Sequence, residues 1–274
     1  MPDEAELIDL VPGCVGWLAG VEPVSGKVIA AADSLRAISR NGTGIDNLPL
    51  SLLEGRGIRV LKAEGANAVG VAELAVGLIL AALRHIPTET AGIRAGGWPR
   101  SRGKEIAERS VGIIGCGAIG KRVARAVSAM RASVIAHDPF RPNVEVYGPF
   151  NWGSLDEVFA EADIVSLHCP APADGRPIVD AARLAAVPPH AILVNTARAT
   201  LVDEEAVRAA LDEGRLQAYA TDVFVEEPPA AGSLASHPRV IATSHIGGLT
   251  DESVSKATAI AVANLLSALE EESA

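Results

Sequence analysis

Six residues, Gly115-Cys116-Gly117-Ala118-Ile119-Gly120, spell G-x-G-x-x-G between an apolar run at 110–114 and a helical pattern that begins at 119. The first glycine permits a tight turn, the second lets backbone approach a pyrophosphate, and the third lets the following helix pack on the strand. The start of that helix offers free N–H donors to the phosphates. Asp138 closes the next apolar run, 18 residues beyond Gly120, where a carboxylate accepts both hydroxyls of an adenosine ribose. Loop and carboxylate together predict NAD, and the carboxylate repels the 2′-phosphate of NADP, although His137 and Arg141 stand nearby as basic neighbours.

Three more segments follow apolar runs and bring polar chemistry: Asn195-Thr196-Ala197-Arg198, Asp222 to Pro228, and Thr243-Ser244-His245-Ile246-Gly247-Gly248. A guanidinium holds a carboxylate through two parallel bonds. An imidazole moves a proton near neutral pH, and a carboxylate behind it favours the charged ring and fixes which nitrogen faces a substrate. Taken singly, each of the six histidines is more often a surface or core residue, and Arg198 more often a surface ion pair.

The elements that must position these groups follow from periodicity. Strands are predicted at 110–114, 133–137, 164–167, 191–195, 218–221 and 240–242, with helices at 119–130, 155–160, 181–186 and 204–213 between them, the pattern of a doubly wound parallel sheet. Carboxyl ends of such strands form the ligand-binding rim, and all the polar segments above lie there. Shorter strands are expected at 15–18, 35–38 and 58–61, helical residues at 3–9, and a C-terminal helix at about 251–269. A helix over 68–85 is apolar on most faces, which predicts burial between lobes or against another subunit; residues 88–102 read as an arm.

Composition narrows the classes. The 274 residues are 49% hydrophobic and carry 24 basic against 34 acidic side chains, net −10, which disfavours a polyanion-binding surface. Aromatic content of 3% leaves few platforms for stacking bases. The apolar run 74–83 is about half the ~20 residues needed to span a bilayer. The acidic start, Met1-Pro2-Asp3-Glu4, is unlike a secretory signal. Cys14, Cys116 and Cys169 are odd in number and lack metal-ligand spacing, as in a reduced compartment, so a cytoplasmic protein without metal is expected.

In this order the motifs resemble the D-isomer-specific 2-hydroxyacid dehydrogenase family, from about residue 5 to 270. The likeness takes in Arg40-Asn41-Gly42-Thr43-Gly44-Ile45-Asp46-Asn47, Val71-Ala72-Glu73, Ala162 to Pro170, and Leu201-Val202-Asp203-Glu204. It implies an α/β chain with two parts. A Rossmann NAD domain covers 67–247, with 68–102 as dimerisation helix and arm; a shortened flavodoxin-like substrate domain is built from 1–66 and 248–274. Arg198, Glu227 and His245 are implied as the catalytic set: Arg198 holds the substrate carboxylate and polarises its carbonyl, His245 transfers the proton, and Glu227, which directly precedes Pro228, backs the histidine in preference to Glu226. Gly115, Gly117, Ala118, Ile119, Gly120, Asp138, His168, Pro170, Thr196 and Asp222 would hold NAD, with Asp222 at the nicotinamide carboxamide. Arg40, Gly42, Thr43 and Gly44 would receive the acid group of the substrate.

The implied activity is hydride transfer between nicotinamide and a small anionic 2-hydroxy/2-oxo acid, such as hydroxypyruvate, glyoxylate, phosphoglycerate or a phosphonate analogue. The implied protein is a homodimer without nucleic-acid or membrane partners. A rival reading is an NAD(H)-binding sensor or corepressor with little turnover; retention of all three catalytic residue types favours the enzyme. The chain departs from the family in Ala199, where Gly is common, in Gly70, where Ser or Thr is usual, and in lacking the opening strand. The 14–18 strand is therefore expected to pair directly with 35–38.

Overall fold

The computed structural model describes residues 2–45 and 47–271; Asp46 of the 40–47 motif, and residues 1 and 272–274 of the expected substrate domain, lie outside the described residues. Contacts divide the chain into two units, Met1–Ala68 with Gly248–Ala274, and Val69–Gly247.

Unit 1 opens with α1 (Glu4–Leu10), β1 (Gly16–Ala19), α2 (Gly26–Ala31), β2 (Ala37–Arg40), α3 (Leu50–Gly55) and β3 (Arg59–Lys62). A reciprocal cap starts α1: the Glu6 amide donates to Asp3 Oδ1 and the Asp3 amide to Glu6 Oε2, each at 2.9 Å. The strands form a parallel sheet in the order β1-β2-β3, with Gly16 opposite Ala37 and Ala37 opposite Arg59. The direct pairing expected for the first strand is thus present. Observed strands start one or two residues later than expected, because β2 runs on into Ser39 and Arg40, polar residues that are nevertheless buried.

Unit 2 begins at the second residue of α4 (Ala68–Leu83), which is followed by α5 (Ile86–Arg94) after His85 in the left-handed region. Then follow β4 (Ser110–Ile114), α6 (Gly120–Ala129), β5 (Ser133–His137), β6 (Phe150–Trp152), α7 (Leu155–Glu161), β7 (Ile164–Leu167), α8 (Ala181–Ala186), β8 (Ala191–Asn195), α9 (Glu204–Asp212), β9 (Leu216–Thr221) and β10 (Val240–Ala242). All pair in parallel in the order β10-β9-β8-β7-β4-β5-β6. Strands β4, β7 and β8 read as near-continuous apolar runs because helices cover both sheet faces. On one face Ala75, Ile79 and Leu83 of α4 and Val123 and Val127 of α6 meet Val111 and Ile113; on the other Val158 and Phe159 of α7 and Val207 and Leu211 of α9 meet Val165 and Leu193.

Much of α4's apolar surface therefore serves the core of its own unit, which corrects the expectation of burial only between lobes or against another subunit. Among the described residues no single helix is long and apolar enough to cross a membrane; α4 and α5 qualify only as a pair bent by 64°. Ala199 opens a 3-10 turn, Ala199–Leu201, and is not among the positive-φ residues, so its methyl meets no backbone strain.

The last helix, α10 (Asp251–Glu271), returns to unit 1. Leu265 and Leu269 press on Gly16, whose missing Cβ would stand 2.8 Å from Leu269 Cδ1. Arg59 donates to Glu271 Oε2 at 2.9 Å, and Asn264 donates to the Lys62 carbonyl at 3.1 Å.

Candidate active site

Strand order in unit 2 runs outward in opposite directions from the β4/β7 pair, and the crevice at the carboxyl ends of such a pair is where open α/β sheets take ligands. The glycine loop leaves β4 here, and His168 to Pro170 leaves β7. Gly115 has φ +91°, and a Cβ on it would lie 2.7 Å from the His168 carbonyl oxygen. A Cβ on Gly120 would lie 1.9 Å from the Gly115 carbonyl oxygen, whereas one on Gly117 meets nothing within 4 Å. The turn thus closes tightly on the protein side and is open on the other, ahead of the first N–H groups of α6.

Asp138, just past β5, accepts from the Cys116 amide at 2.7 Å through Oδ2 and from the Phe140 amide at 2.9 Å through Oδ1. Each oxygen keeps accepting capacity for ribose hydroxyls. Burial, with the charge of Asp138 adding to it, pushes the Cys116 thiol up to about 12, and burial pushes Cys169 up to about 11, so both stay protonated. His168 is partly buried, its Nε2 paired with Ser166 Oγ at 2.9 Å; burial pushes its pKa down to about 3, and the ring is neutral. His168 Nδ1 and Thr196 Oγ1 are buried without a hydrogen-bond partner. Unsatisfied polar groups beside an open glycine turn fit a dinucleotide with polar edges.

The remaining groups stand at the ends of the neighbouring strands β8, β9 and β10. His245 Nδ1 lies 2.9 Å from both Oε1 and Oε2 of Glu227, with the side chains 55% and 41% exposed. Glu227 is also tied at 3.2 Å by the Phe224 amide, so it is the carboxylate, rather than Glu226, that the loop brings to the histidine. His245 has φ +54°, a conformation uncommon for a side-chain-bearing residue. Its neighbours hold it there: the Ile246 amide donates to Asp222 Oδ1 at 2.8 Å, the Gly247 amide to Oδ2 at 2.7 Å, and Thr243 Oγ1 to Oδ1 at 2.6 Å. The buried Asp222 carboxylate is thereby turned largely toward the histidine loop.

Arg198 is half-buried where the chain leaves β8, and its Nη1 donates to the Ala197 carbonyl at 2.8 Å. Asn195 closes this turn, with Nδ2 donating to the Arg198 carbonyl at 2.8 Å and Oδ1 accepting from the Ala197 amide at 3.0 Å. No role for Asn195 or Thr243 was read from the sequence. The signal for Asn195 was present: an amide ends the run Ala-Ile-Leu-Val, and a buried amide requires partners.

In unit 1 Arg40 ends β2, and Gly42, Thr43 and Gly44 follow it. Arg40 is buried, donates to the Ala19 and Asn41 carbonyls at 3.4 and 3.1 Å, and has its pKa lowered by desolvation against the opposing pull of Glu22. Gly42 accepts from the Ala63 amide at 2.9 Å, and Thr43 Oγ1 accepts from Asn67 at 3.3 Å. Among the described residues no group of three or more His, Cys, Asp or Glu could hold a metal ion.

Comparison with known proteins places these features in context. The model of the D-isomer specific 2-hydroxyacid dehydrogenase NAD-binding domain matches residues 76–247. Hydroxypyruvate reductase of Thermotoga maritima is 37% identical over 256 residues, covering 91% of this chain and 83% of that protein. D-3-phosphoglycerate dehydrogenase of Methanocaldococcus jannaschii is 39% identical over 233 residues, 84% of this chain but 44% of its own length, so the chain spans about half of that relative. Among solved structures, the TT0316 protein from Thermus thermophilus superposes with TM-score 0.88 at 33% identity, covering 99% of this chain and 88% of that one.

Proposed function

The chain belongs to the D-isomer specific 2-hydroxyacid dehydrogenase family, with NAD as cofactor, and from that premise we propose that it interconverts a small anionic 2-oxo acid and the matching 2-hydroxy acid. Hydroxypyruvate, glyoxylate, phosphoglycerate and phosphonate analogues are the candidate substrates. The observation that carries this reading is the His245–Glu227 pair at 2.9 Å on the rim shared with Arg198.

When bound, the nicotinamide supplies or accepts the hydride. Arg198 presents a planar fork of donors that holds the substrate carboxylate and draws electron density from the neighbouring carbonyl oxygen. His245 Nδ1 is engaged by Glu227, which leaves Nε2 to give a proton to that oxygen in reduction or to take it from the hydroxyl in oxidation. Glu227 fixes the orientation of the ring and which nitrogen faces the substrate. In unit 2 the Gly115–Gly120 turn, Asp138, His168, Pro170 and Thr196 are the candidate dinucleotide contacts; in unit 1 Arg40, Gly42, Thr43 and Gly44 are candidates to receive an acid group.

NADH oxidation followed by absorbance across a panel of 2-oxo acids tests the proposal. Turnover on at least one small anionic member is expected; tight NADH binding with no turnover on any would favour a sensor or corepressor. We also propose a cytoplasmic protein and a homodimer; the dimer is supported by α5, which has no buried residue, and by the segment after α4, which exposes Ile86, Ile93 and Trp98. Light scattering at the one-chain mass of 28.2 kDa would refute the dimer.

A further inference from the structure

We propose that Asn195 is a positioning residue that sets where the Arg198 guanidinium stands, and so governs substrate affinity without touching substrate, cofactor or the proton. The inference rests on the reading of Arg198 as the carboxylate anchor. Asn195 is fully buried at the last position of β8, in a strand whose other residues are apolar. Its side chain spans the turn from both sides. Oδ1 accepts from the amide two residues on, and Nδ2 donates to the carbonyl three residues on, which is that of Arg198 itself. Nδ2 also lies 3.5 Å from the hydroxyl of Tyr219, a buried residue of the neighbouring strand β9. One side chain therefore restrains the Thr196–Ala197 and Arg198–Ala199 peptide units, which bracket the unit leading into the Arg198 Cα, and backbone there aims a long side chain with several rotatable bonds.

Asn195 reaches the histidine loop as well. Its carbonyl accepts from the Asp222 amide at 3.0 Å and from Thr221 Oγ1 at 3.3 Å, and the Asp222 carboxylate holds the amides of Ile246 and Gly247. The loops bearing Arg198 and His245 thus hang from one continuous set of hydrogen bonds on three adjacent strand ends. The link to the histidine loop runs through the Asn195 backbone, which a side-chain substitution leaves in place. The link to Arg198 runs through the side-chain amide, which a substitution removes. Loss of that amide should consequently misplace Arg198 and spare His245.

Asn195→Asp keeps the acceptor for the Ala197 amide and sets a carboxylate oxygen against the Arg198 carbonyl; Asn195→Ser removes the amide and adds no charge. Misplacing a positioning group by about 1 Å costs up to about 10²-fold, so KM for the accepted 2-oxo acid and the Kd of oxalate for the NADH complex should rise about tenfold or more in both variants. NADH affinity should stay within about twofold, and the pH profile of kcat should match that of the parent, because the His245–Glu227 pair is untouched. Unchanged KM and oxalate affinity in a folded Asn195→Ser would overturn the proposal. A parallel loss of NADH affinity and thermal stability would overturn it too, making Asn195 a residue of the fold alone. A parent protein that neither turns over a 2-oxo acid nor binds oxalate defeats the reading of Arg198 and this inference together; a parent that does both, beside an indifferent Asn195→Ser, defeats this inference only.

Discussion

Two glycines of one motif should fail in opposite ways when given a methyl group. A Cβ on Gly120 would sit 1.9 Å from the Gly115 carbonyl oxygen and 3.2 Å from Ile113 Cγ2. Ordinary contact begins above 3 Å, so α6 would have to back away from β4 by more than 1 Å at its first turn. Overpacking of this kind costs about 1–3 kcal/mol. At roughly 2–4 °C per kcal/mol for a domain of this size, Gly120→Ala should melt about 2–12 °C lower. Gly117 has no atom within 4 Å of the new methyl and no positive φ, so Gly117→Ala should leave the melting temperature level or raise it slightly through the less flexible unfolded chain. Its methyl would instead stand where a pyrophosphate approaches, and a loss of NADH affinity of about tenfold or more is expected. Thermal melts read the first quantity and NADH fluorescence titration the second. Gly117→Ala binding NADH like the parent, or Gly120→Ala melting like it, would refute this division of labour.

Other outcomes follow from the rim. His245→Ala should lower kcat by about 10²–10⁴ with a smaller change in KM, Arg198→Ala should damage both, and Glu227→Gln, which weakens the hold on the ring, should lower kcat; parental speed in His245→Ala would move the acid/base role elsewhere. Asp138→Ala should lose discrimination against NADPH in paired kcat/KM measurements and, because the carboxylate braces the Cys116 amide, bind NADH more weakly; an unaltered preference would place the ribose site elsewhere. His168 holds a folded pKa of about 3 against an ordinary value near 6.5, so the unfolded chain binds the extra proton between them. Its contribution to stability is complete above about pH 6.5 and declines as pH falls toward 3, by up to about 1.4 kcal/mol per unit. His168→Gln should flatten denaturant-measured stability between about pH 6 and 4, and parallel curves for the two proteins would contradict the assignment.

The central strands were legible because β4, β5, β7 and β8 are apolar runs covered on both faces, and their observed limits coincide with the runs. Strand β6 was missed: it is three residues at the sheet edge, with Asn151 exposed in its middle, where pairing with β5 outweighs pattern. Strand β9 begins at Leu216, two residues before the expected start, since Gln217 interrupts the apolar run while its amide reaches the Ala82 carbonyl. Helices α2 and α3, of six residues each, were also missed, although α8 of equal length was not. At the site, the types and order of Arg198, Glu227 and His245 could be read from motifs. The clasp of Asp222 on the amides of Ile246 and Gly247 could not, because backbone donors carry no letter in the sequence.

Unit 1 is assembled from two segments on either side of unit 2, and that arrangement imposes a schedule on biosynthesis. The residues that lock α10 onto the first sheet are far apart in sequence, with Arg59 and Glu271 separated by 212 positions. At about 5–20 residues per second, the nascent sheet waits roughly 10–40 s with its helix-binding face bare. Unit 2, continuous from Val69 to Gly247, lies wholly upstream of α10 and can be complete before α10 leaves the ribosome. Emerging chains should therefore pass through a stage with a protease-resistant centre and a digestible N-terminal segment, which limited proteolysis of stalled ribosomal complexes would detect. The N-terminal segment is then the part of the molecule left without its covering helix until α10 emerges.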